Sequence, residues 1–443
     1  MASRALASLA ALVAVLAACQ PQDSRPDVLV IVADSLAASH VGSHGYARPT
    51  TPGFDAFAAQ CVRFDSAYSA AAWTLPSVAS LFTSQPQERH GARDDELPLR
   101  ANLPTLAEAF TAGGWNTHAI VQTPVLASRT GLSRGFEEYR VLDFSLASFA
   151  RAIELARQTF DASSAPDFVY LHVAPPHMPY IPPEPFRGRF SAESEGSAHV
   201  DGSIASARAV HRAKLAPEHP DVQRLVALYD EHIAYVDQAL AQLVAQLRAA
   251  PRERELVIVW TSDHGEAFME HGEQGHNSSV YDEMVRVPLA ISAPGAAPRV
   301  VQEPVSLLDL APTLIESMGL APLPRAEGRS LAPALRGEAL DASREIVTTS
   351  RHYPQKPERW KVGVRSGPFK LCATPATQGF ALFDLRTDPR ELVDISESQP
   401  QVVARLRGEV ERVVRALEAP ELPRELDDSE RRALAELGYA DER

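Results

Sequence analysis

Cysteine is scarce in this chain: its 443 residues hold only Cys19, Cys61 and Cys372. A disulfide framework and a thiolate metal cluster are thereby excluded, since at most one bridge can form and no ligand spacing is present. Excess positive charge is missing too. The net charge of −14 repels polyanions at long range, so no nucleic-acid partner is expected, although a local cationic pocket stays open. The Rossmann glycine fingerprint, the P-loop and internal repeats are also absent, which removes the common nucleotide-binding and solenoid readings. What is present is an ordinary globular composition, 45% hydrophobic and 23% charged, with 35 prolines that favour loops over a helical bundle.

The N-terminus, MASRALASLAALVAVLAACQ, places Arg4 ahead of an apolar run from Ala5 and small residues before Cys19. This is the pattern of an export signal. The run is short for a membrane span, and Leu16, Ala17, Ala18 and Cys19 resemble the lipobox of bacterial lipoproteins. That resemblance implies a signal peptide over residues 1–18 and an acylated Cys19 tethering the protein to a lipid membrane. The expected location is the cell envelope, on its periplasmic or extracellular face, with simple secretion or a retained helix as alternatives.

Beyond a polar linker the chain alternates strands and helices. DVLVIVAD (27–34), Phe168–Val173 and ELVIVWTSDHG (255–265) contain continuous apolar runs, the mark of parallel strands buried on both faces. A helical run is expected over Phe54–Val62, with Cys61 as a buried inert thiol. Further helices are expected near 104–112, 145–160, 221–249 and 307–318, with strands near 117–121 and 288–292. The polar stretch 186–220 reads as an insertion or mobile flap. From about residue 321 shorter strand patterns at 345–349, 361–364, 369–372 and 381–384 suggest a small antiparallel sheet. Helical patterns at 400–418 and 428–438 close the chain.

Several polar groups fall at strand ends, where ligands collect in open α/β sheets. They are Asp34, Asp263 with His264, and His177 on the proline-stiffened loop PPHMPYIPP. Thr74 opens AWTLPSVASLFT, where Pro76 marks the first turn of a helix. Alone, Thr74 reads as an N-cap threonine. The strand-end residues suggest more: Asp34, Asp263, His264 and Thr74 make a single-cation site. Two carboxylates and an imidazole suit one divalent ion, manganese or zinc ahead of calcium, and a coordinated hydroxyl loses its proton more readily. Thr74 then serves as a nucleophile without a separate base.

With these residues placed, the chain resembles the sulfatase family of the alkaline phosphatase superfamily. The motifs are DVLVIVADS, TLPS (74–77), RHG (89–91), HMPY (177–180), TSDHGE (261–266) and HGEQGH (271–276). They continue through RVPLAISAPG, SLLDLAPTLIESMGL, EGRSL (327–331), LFDLRTDPRELVDI and LAELGYAD. The resemblance implies an alkaline-phosphatase-like α/β fold, with a mixed, largely parallel sheet flanked by helices. A sulfatase-like catalytic domain would span 26–320, and a C-terminal subdomain with a small antiparallel sheet 321–443. It also implies that Asp34 and Asp263 are metal-binding aspartates. Thr74 stands where the family places the Cys or Ser matured to formylglycine, and Val78 stands in place of an arginine, so no formylglycine is expected. Ser35, where a second acid is frequent, and His264, where Asn is typical, point the same way, toward phosphotransferases and phosphoester hydrolases with a threonine nucleophile.

The expected activity is metal-dependent hydrolysis or transfer of an anionic phosphate or sulfate ester through metal-bound Thr74. His177 and His276 would hold the ester oxygens or protonate the leaving group. His90 and His271 have weaker claims, and Ser77 is the alternative hydroxyl. The competing reading is a catalytically inactive sulfatase-fold lipoprotein that binds envelope or glycan partners.

Overall fold

The computed structural model describes residues 23–417 except 94–96, 161–164, 252–253 and 351–358, together with residue 432. The export signal, the lipobox at Cys19 and, apart from residue 432, the closing helix expected at 428–438 lie outside the described residues. Among the described residues no helix is long and apolar enough to cross a membrane.

The first strand, β1 (Asp27–Ala33), is buried along its whole length. It is flanked in parallel by β5 (Asp167–Val173) and β6 (Leu256–Thr261). Outward from β5 come β3 (Asn116–Val121) and β4 (Glu138–Val141), both parallel. Outward from β6 come β9 (Arg286–Ser292), β2 (Val62–Tyr68) and β10 (Arg299–Val301), with the short β11 (Val305–Ser306) also on β2. Only β9 runs against its neighbours β6 and β2. The result, among the described residues, is a nine-stranded, largely parallel sheet.

Side chains alternate across a strand, and β1 divides the core accordingly. Val28, Val30 and Val32 pack with Leu75, Val78 and Phe82 of the helix Thr74–Thr83 and with Leu310 and Leu314 of the helix Leu310–Ser317. Leu29, Ile31 and Ala33 face the other layer. That layer includes Phe54 and Phe57 of the helix Pro52–Ala58, Phe149 of Leu146–Thr159, and Leu225 and Leu240 of the long helix Pro220–Ala249.

The expected helix Phe54–Val62 is a correction. The helix spans Pro52–Ala58, and Val62 and Phe64 begin β2 instead. The spacing of Phe54, Phe57, Cys61 and Val62 satisfies a helical period, but pairing with β9 and β10 draws the last part into the sheet. Cys61 is buried and unbridged, as is Cys372, and burial pushes the Cys61 thiol up. The stretch 186–220 is tied down rather than loose. It carries a helix, Ile204–Arg212, capped by Ser203, and Glu231 of the long helix accepts hydrogen bonds from the amides of Phe190 (2.8 Å) and Ser191 (2.6 Å).

The C-terminal part forms an antiparallel sheet of β12 (Glu345–Ser350), β13 (Lys361–Ser366), β14 (Phe369–Thr374) and β15 (Gly379–Asp384). The helix Pro400–Leu417 lays Val403, Leu406, Val410 and Val413 on its apolar face. This sheet bears on the main domain where it matters for the site. Thr349 of β12 donates its amide to the Ala70 carbonyl (3.0 Å), and its carbonyl accepts from the Ala72 amide (3.1 Å). The segment that leads into Thr74 is thus held from both sides.

Candidate active site and metal centre

β1 and β6 end side by side and deliver Asp34 and Asp263 to one point. The turn after β1 is tight: Ser35 adopts a left-handed conformation (φ 64°), which a non-glycine residue rarely takes. That turn aims the Ser35 amide at Asp263 Oδ1 (3.2 Å), and the Ser35 hydroxyl donates to Asp34 Oδ1 (3.0 Å). Tyr229 from the long helix fixes the same turn, donating to the Ser35 carbonyl (2.6 Å) and accepting from the Ala37 amide (3.1 Å). After β6, the chain passes so close to the carbonyl of Glu283 that a Cβ on Gly265 would sit 2.1 Å from it. Only glycine fits there.

His264 is oriented by its own backbone. Its Nδ1–H donates to the Gly265 carbonyl (2.9 Å), so Nε2 presents a lone pair to the site. That Nε2 lies 3.5 Å from Asp34 Oδ1, 3.5 Å from Asp263 Oδ2 and 3.2 Å from Thr74 Oγ1. Asp263 Oδ1 accepts from the amides of Ser35 and His264, while Oδ2 is buried with no hydrogen-bond partner among the described residues. An orphaned buried carboxylate oxygen facing a lone pair and a second carboxylate fits a divalent cation. Asp34, Asp263 and His264 each offer a ligand atom to it, all within 4.8 Å of one another.

Thr74 is the first residue of its helix, not the cap. Trp73 occupies the N-cap in an extended conformation, and the Thr74 hydroxyl is spent on His264 rather than on the helix. The N-terminus of this ten-residue helix points at the site, where its amides favour negative charge. Ser77 has a supporting part, donating to the Asp263 carbonyl (2.6 Å) while accepting from Ser69 (2.9 Å). Val78 is buried in the core.

The structure also brings in His177 and His276. The His276 ring centroid lies 4.5 Å from that of His264 and 5.0 Å from that of His177. His177 donates Nδ1–H to the Met178 carbonyl (2.6 Å). His276 follows the short hairpin of β7 (Ala267–Phe268) and β8 (Gln274–Gly275), and the next amide, Asn277, donates to the Ala72 carbonyl (2.8 Å). His90 and His271 lie elsewhere. His90 meets Ser80 and the Pro76 carbonyl along the Thr74 helix, and His271 bonds Glu283 and stacks on Tyr281.

Electrostatics follow from burial and crowding. Burial alone would raise the Asp34 carboxyl, but the imidazoles of His177, His172 and His264 overcome it and hold the group below its ordinary range. Burial works to lower His264, and the charges of Asp263 and Asp34 outweigh it, so His264 ends raised. Burial lowers His177 and drives His276 down to about 3, which keeps its ring neutral at pH 7.

Two site residues escaped the sequence reading. Glu266 is fully buried, lies 3.3 Å from His276 Nδ1, and is pushed by burial up to about 7. His172 occupies the sheet itself, on β5, with Nε2 3.5 Å from Asp34 Oδ2. Within FVYLHV it is one ring beside Tyr170 in a buried strand, which carries no local mark of function.

The family model described as Sulfatase matches residues 26–320, and the one described as N-sulphoglucosamine sulphohydrolase, C-terminal, matches 270–416. A Delta 4,5-hexuronate-2-O-sulfatase of Bacteroides thetaiotaomicron is 25% identical, over 86% of this chain and 86% of the relative. A choline-sulfatase of Rhizobium meliloti is 23% identical, over 84% and 83% respectively. The phosphonate monoester hydrolase of Agrobacterium radiobacter superposes with a TM-score of 0.70 at 22% identity, covering 91% of this chain and 99% of that one. This last likeness is one of fold.

Proposed function

The chain belongs to the sulfatase family of the alkaline phosphatase superfamily, and from that premise we propose that it is a metal-dependent esterase in which Thr74, unmodified, is the nucleophile. Its substrates are anionic esters of sulfate or of a phosphorus acid. The relatives' names support that range, since they include sulfatases of a hexuronate and of choline and a phosphonate monoester hydrolase. The observation that carries the reading is the placement of Thr74 Oγ1, buried at a helix N-terminus and 3.2 Å from a nitrogen that faces both aspartates.

Asp34, Asp263 and His264 would hold a divalent cation, which would lower the hydroxyl's pKa and offset charge developing on the ester oxygens. Thr74 Oγ1 gives up its proton to solvent and attacks sulfur or phosphorus in line, the new Oγ bond forming as the bond to the leaving alcohol breaks. The helix N-terminus receives the equatorial oxygens. His276, neutral at pH 7, offers an N–H to those oxygens, and His177, whose Nδ1–H is held by the Met178 carbonyl, relays a proton from solvent through Nε2 to the departing alcohol. Water then takes the transferred group from Thr74 and restores the hydroxyl; an acceptor alcohol in its place would make the reaction a transfer. Anchoring through Cys19 would place this chemistry at the envelope surface.

The test is turnover of aryl sulfate, aryl phosphate monoester, aryl phosphodiester and aryl phosphonate by the wild type and Thr74→Ala, with metal content measured on both. Thr74→Ala is expected to keep its metal and to lose more than about a thousandfold in kcat. Intact-mass analysis should find threonine at 74, and quenched turnover should leave the transferred group on the peptide containing it. Full activity in Thr74→Ala on any of these esters would overturn the assignment, and so would a formylglycine at position 74.

A further inference from the structure

His172 plays no part in the chemistry above, yet it faces the two aspartates. It lies on β5, directly beside β1, with its side chain wholly buried. Its Nε2 is 3.5 Å from Asp34 Oδ2 and 3.9 Å from Asp263 Oδ2. Neither distance is a hydrogen bond. His172 Nε2 and Asp263 Oδ2 are both buried without a hydrogen-bond partner among the described residues, and two orphaned polar atoms this close are costly unless something sits between them.

We propose that His172 is a further ligand of the cation held by Asp34, Asp263 and His264, oriented by Tyr170. This inference rests on the metal-dependent reading above. Two donor atoms each about 2.1 Å from one cation stand roughly 3.0 to 4.2 Å apart, depending on whether they are cis or trans. Both His172 separations fall in that interval, and a cation at that point satisfies both orphaned atoms at once. The other ring nitrogen has the partner a metal-bound histidine needs. Nδ1 lies 3.0 Å from the Tyr170 hydroxyl on the same face of the same strand; with Nδ1–H donating to that oxygen, Nε2 carries the lone pair. Ser35 brings a hydroxyl rather than a carboxylate, and that hydroxyl is turned onto Asp34 Oδ1. A second imidazole in place of a further acid lowers the negative charge of the donor set and makes it softer, favouring manganese or zinc over calcium.

The experiment loads the full chain with Mn(II) and counts coordinated imidazole nitrogens by pulsed electron paramagnetic resonance, in the wild type, His172→Gln and Tyr170→Phe. Two imidazoles are expected in the wild type and one in His172→Gln. Chelator competition should show at least a tenfold weaker Mn(II) affinity in His172→Gln, and a loss of about tenfold in Tyr170→Phe, the usual scale for a ligand's orienting partner. A single imidazole in the wild type, with Mn(II) bound, overturns the role of His172 while leaving the metal-dependent reading intact. Failure of the wild type to bind any divalent ion overturns both. The wild-type count decides the matter even where His172→Gln does not fold.

Discussion

Thr74 Oγ1 and His264 Nε2 meet at 3.2 Å, across 190 residues of chain. One atom sits at the start of a helix and the other just past the end of β6, and each is held by contacts of its own. Ser77 of the same helix donates to the Asp263 carbonyl, and Gly265 fixes the His264 ring. The hydroxyl and the candidate ligands are therefore one rigid unit, and that has consequences for stability as well as for turnover.

The first consequence concerns metal removal. Asp34 and Asp263 are buried and face each other across His264, so the folded state without a cation leaves two close carboxylates to the neighbouring imidazoles alone. A divalent ion supplied at a hundred times its dissociation constant should stabilise the fold by about 2.7 kcal/mol. Thermal melts before and after chelation, and after adding back manganese, zinc or calcium, measure this directly. Identical melting temperatures in all conditions would contradict the assignment of these residues to a metal.

His90 sets a pH dependence distant from the site. The amide of Ala92 donates to its Nδ1 (3.1 Å), which therefore carries no proton, and Nε2 meets the Pro76 carbonyl (3.2 Å). Burial pushes this imidazole down to about 3. Between pH 3 and 6.5 the unfolded chain binds a proton here that the folded chain refuses, so stability falls as pH drops through that window. The loss approaches about 1.4 kcal/mol per pH unit at its steepest. Urea denaturation at pH 7.5 and 5.5 should show a shallower pH dependence in His90→Gln than in the wild type; equal slopes would refute this.

The legible part of the molecule was whatever one strand could announce by itself. DVLVIVAD and ELVIVWTSD are apolar runs ending in acids, and both became central strands with Asp34 and Asp263 at their ends. Thr74 was legible as a helix start because Pro76 follows it, yet its hydroxyl partner lay 190 residues away, and only tertiary packing shows that it is no cap. Strand β2 was hidden because VRFDSAY follows a helix whose apolar period carries on into Val62. His172 was passed over for a different reason. A histidine within a buried strand has no local mark of function, and its meaning depends on β1 lying alongside.

The last prediction concerns the joint between the two parts. Lys370 on β14 is buried, with Nζ 2.6 Å from Asp282 Oδ1 and 2.9 Å from Glu391 Oε1, and Glu391 also accepts from the Asp282 amide (2.6 Å). Asp282 opens the helix Asp282–Val285, which runs directly into β9 of the main sheet, so this ion group ties the C-terminal sheet to the catalytic one. Burial works against the charge on Lys370, and the two acids more than offset it, leaving the amine raised above its ordinary value. Lys370→Met should leave the buried Asp282 carboxylate without its ammonium, with only the Tyr68 hydroxyl still on Oδ2, and destabilise the protein by about 3–5 kcal/mol. The same joint supports β12, whose Thr349 braces Ala70 and Ala72 just before Thr74, so activity should fail at a lower temperature than in the wild type, in step with unfolding. Lys370→Met combined with Asp282→Asn removes two of the three charges and leaves Glu391, which burial pushes up to about 7, so it should recover part of the loss, because breaking a buried pair costs more than deleting it. Urea melts of the three proteins decide this. A single variant within about 1 kcal/mol of the wild type, or a double variant no better than the single, would mean that the joint is held by apolar contacts such as those of Val280 with Cys372 and Phe383 rather than by the buried ion group.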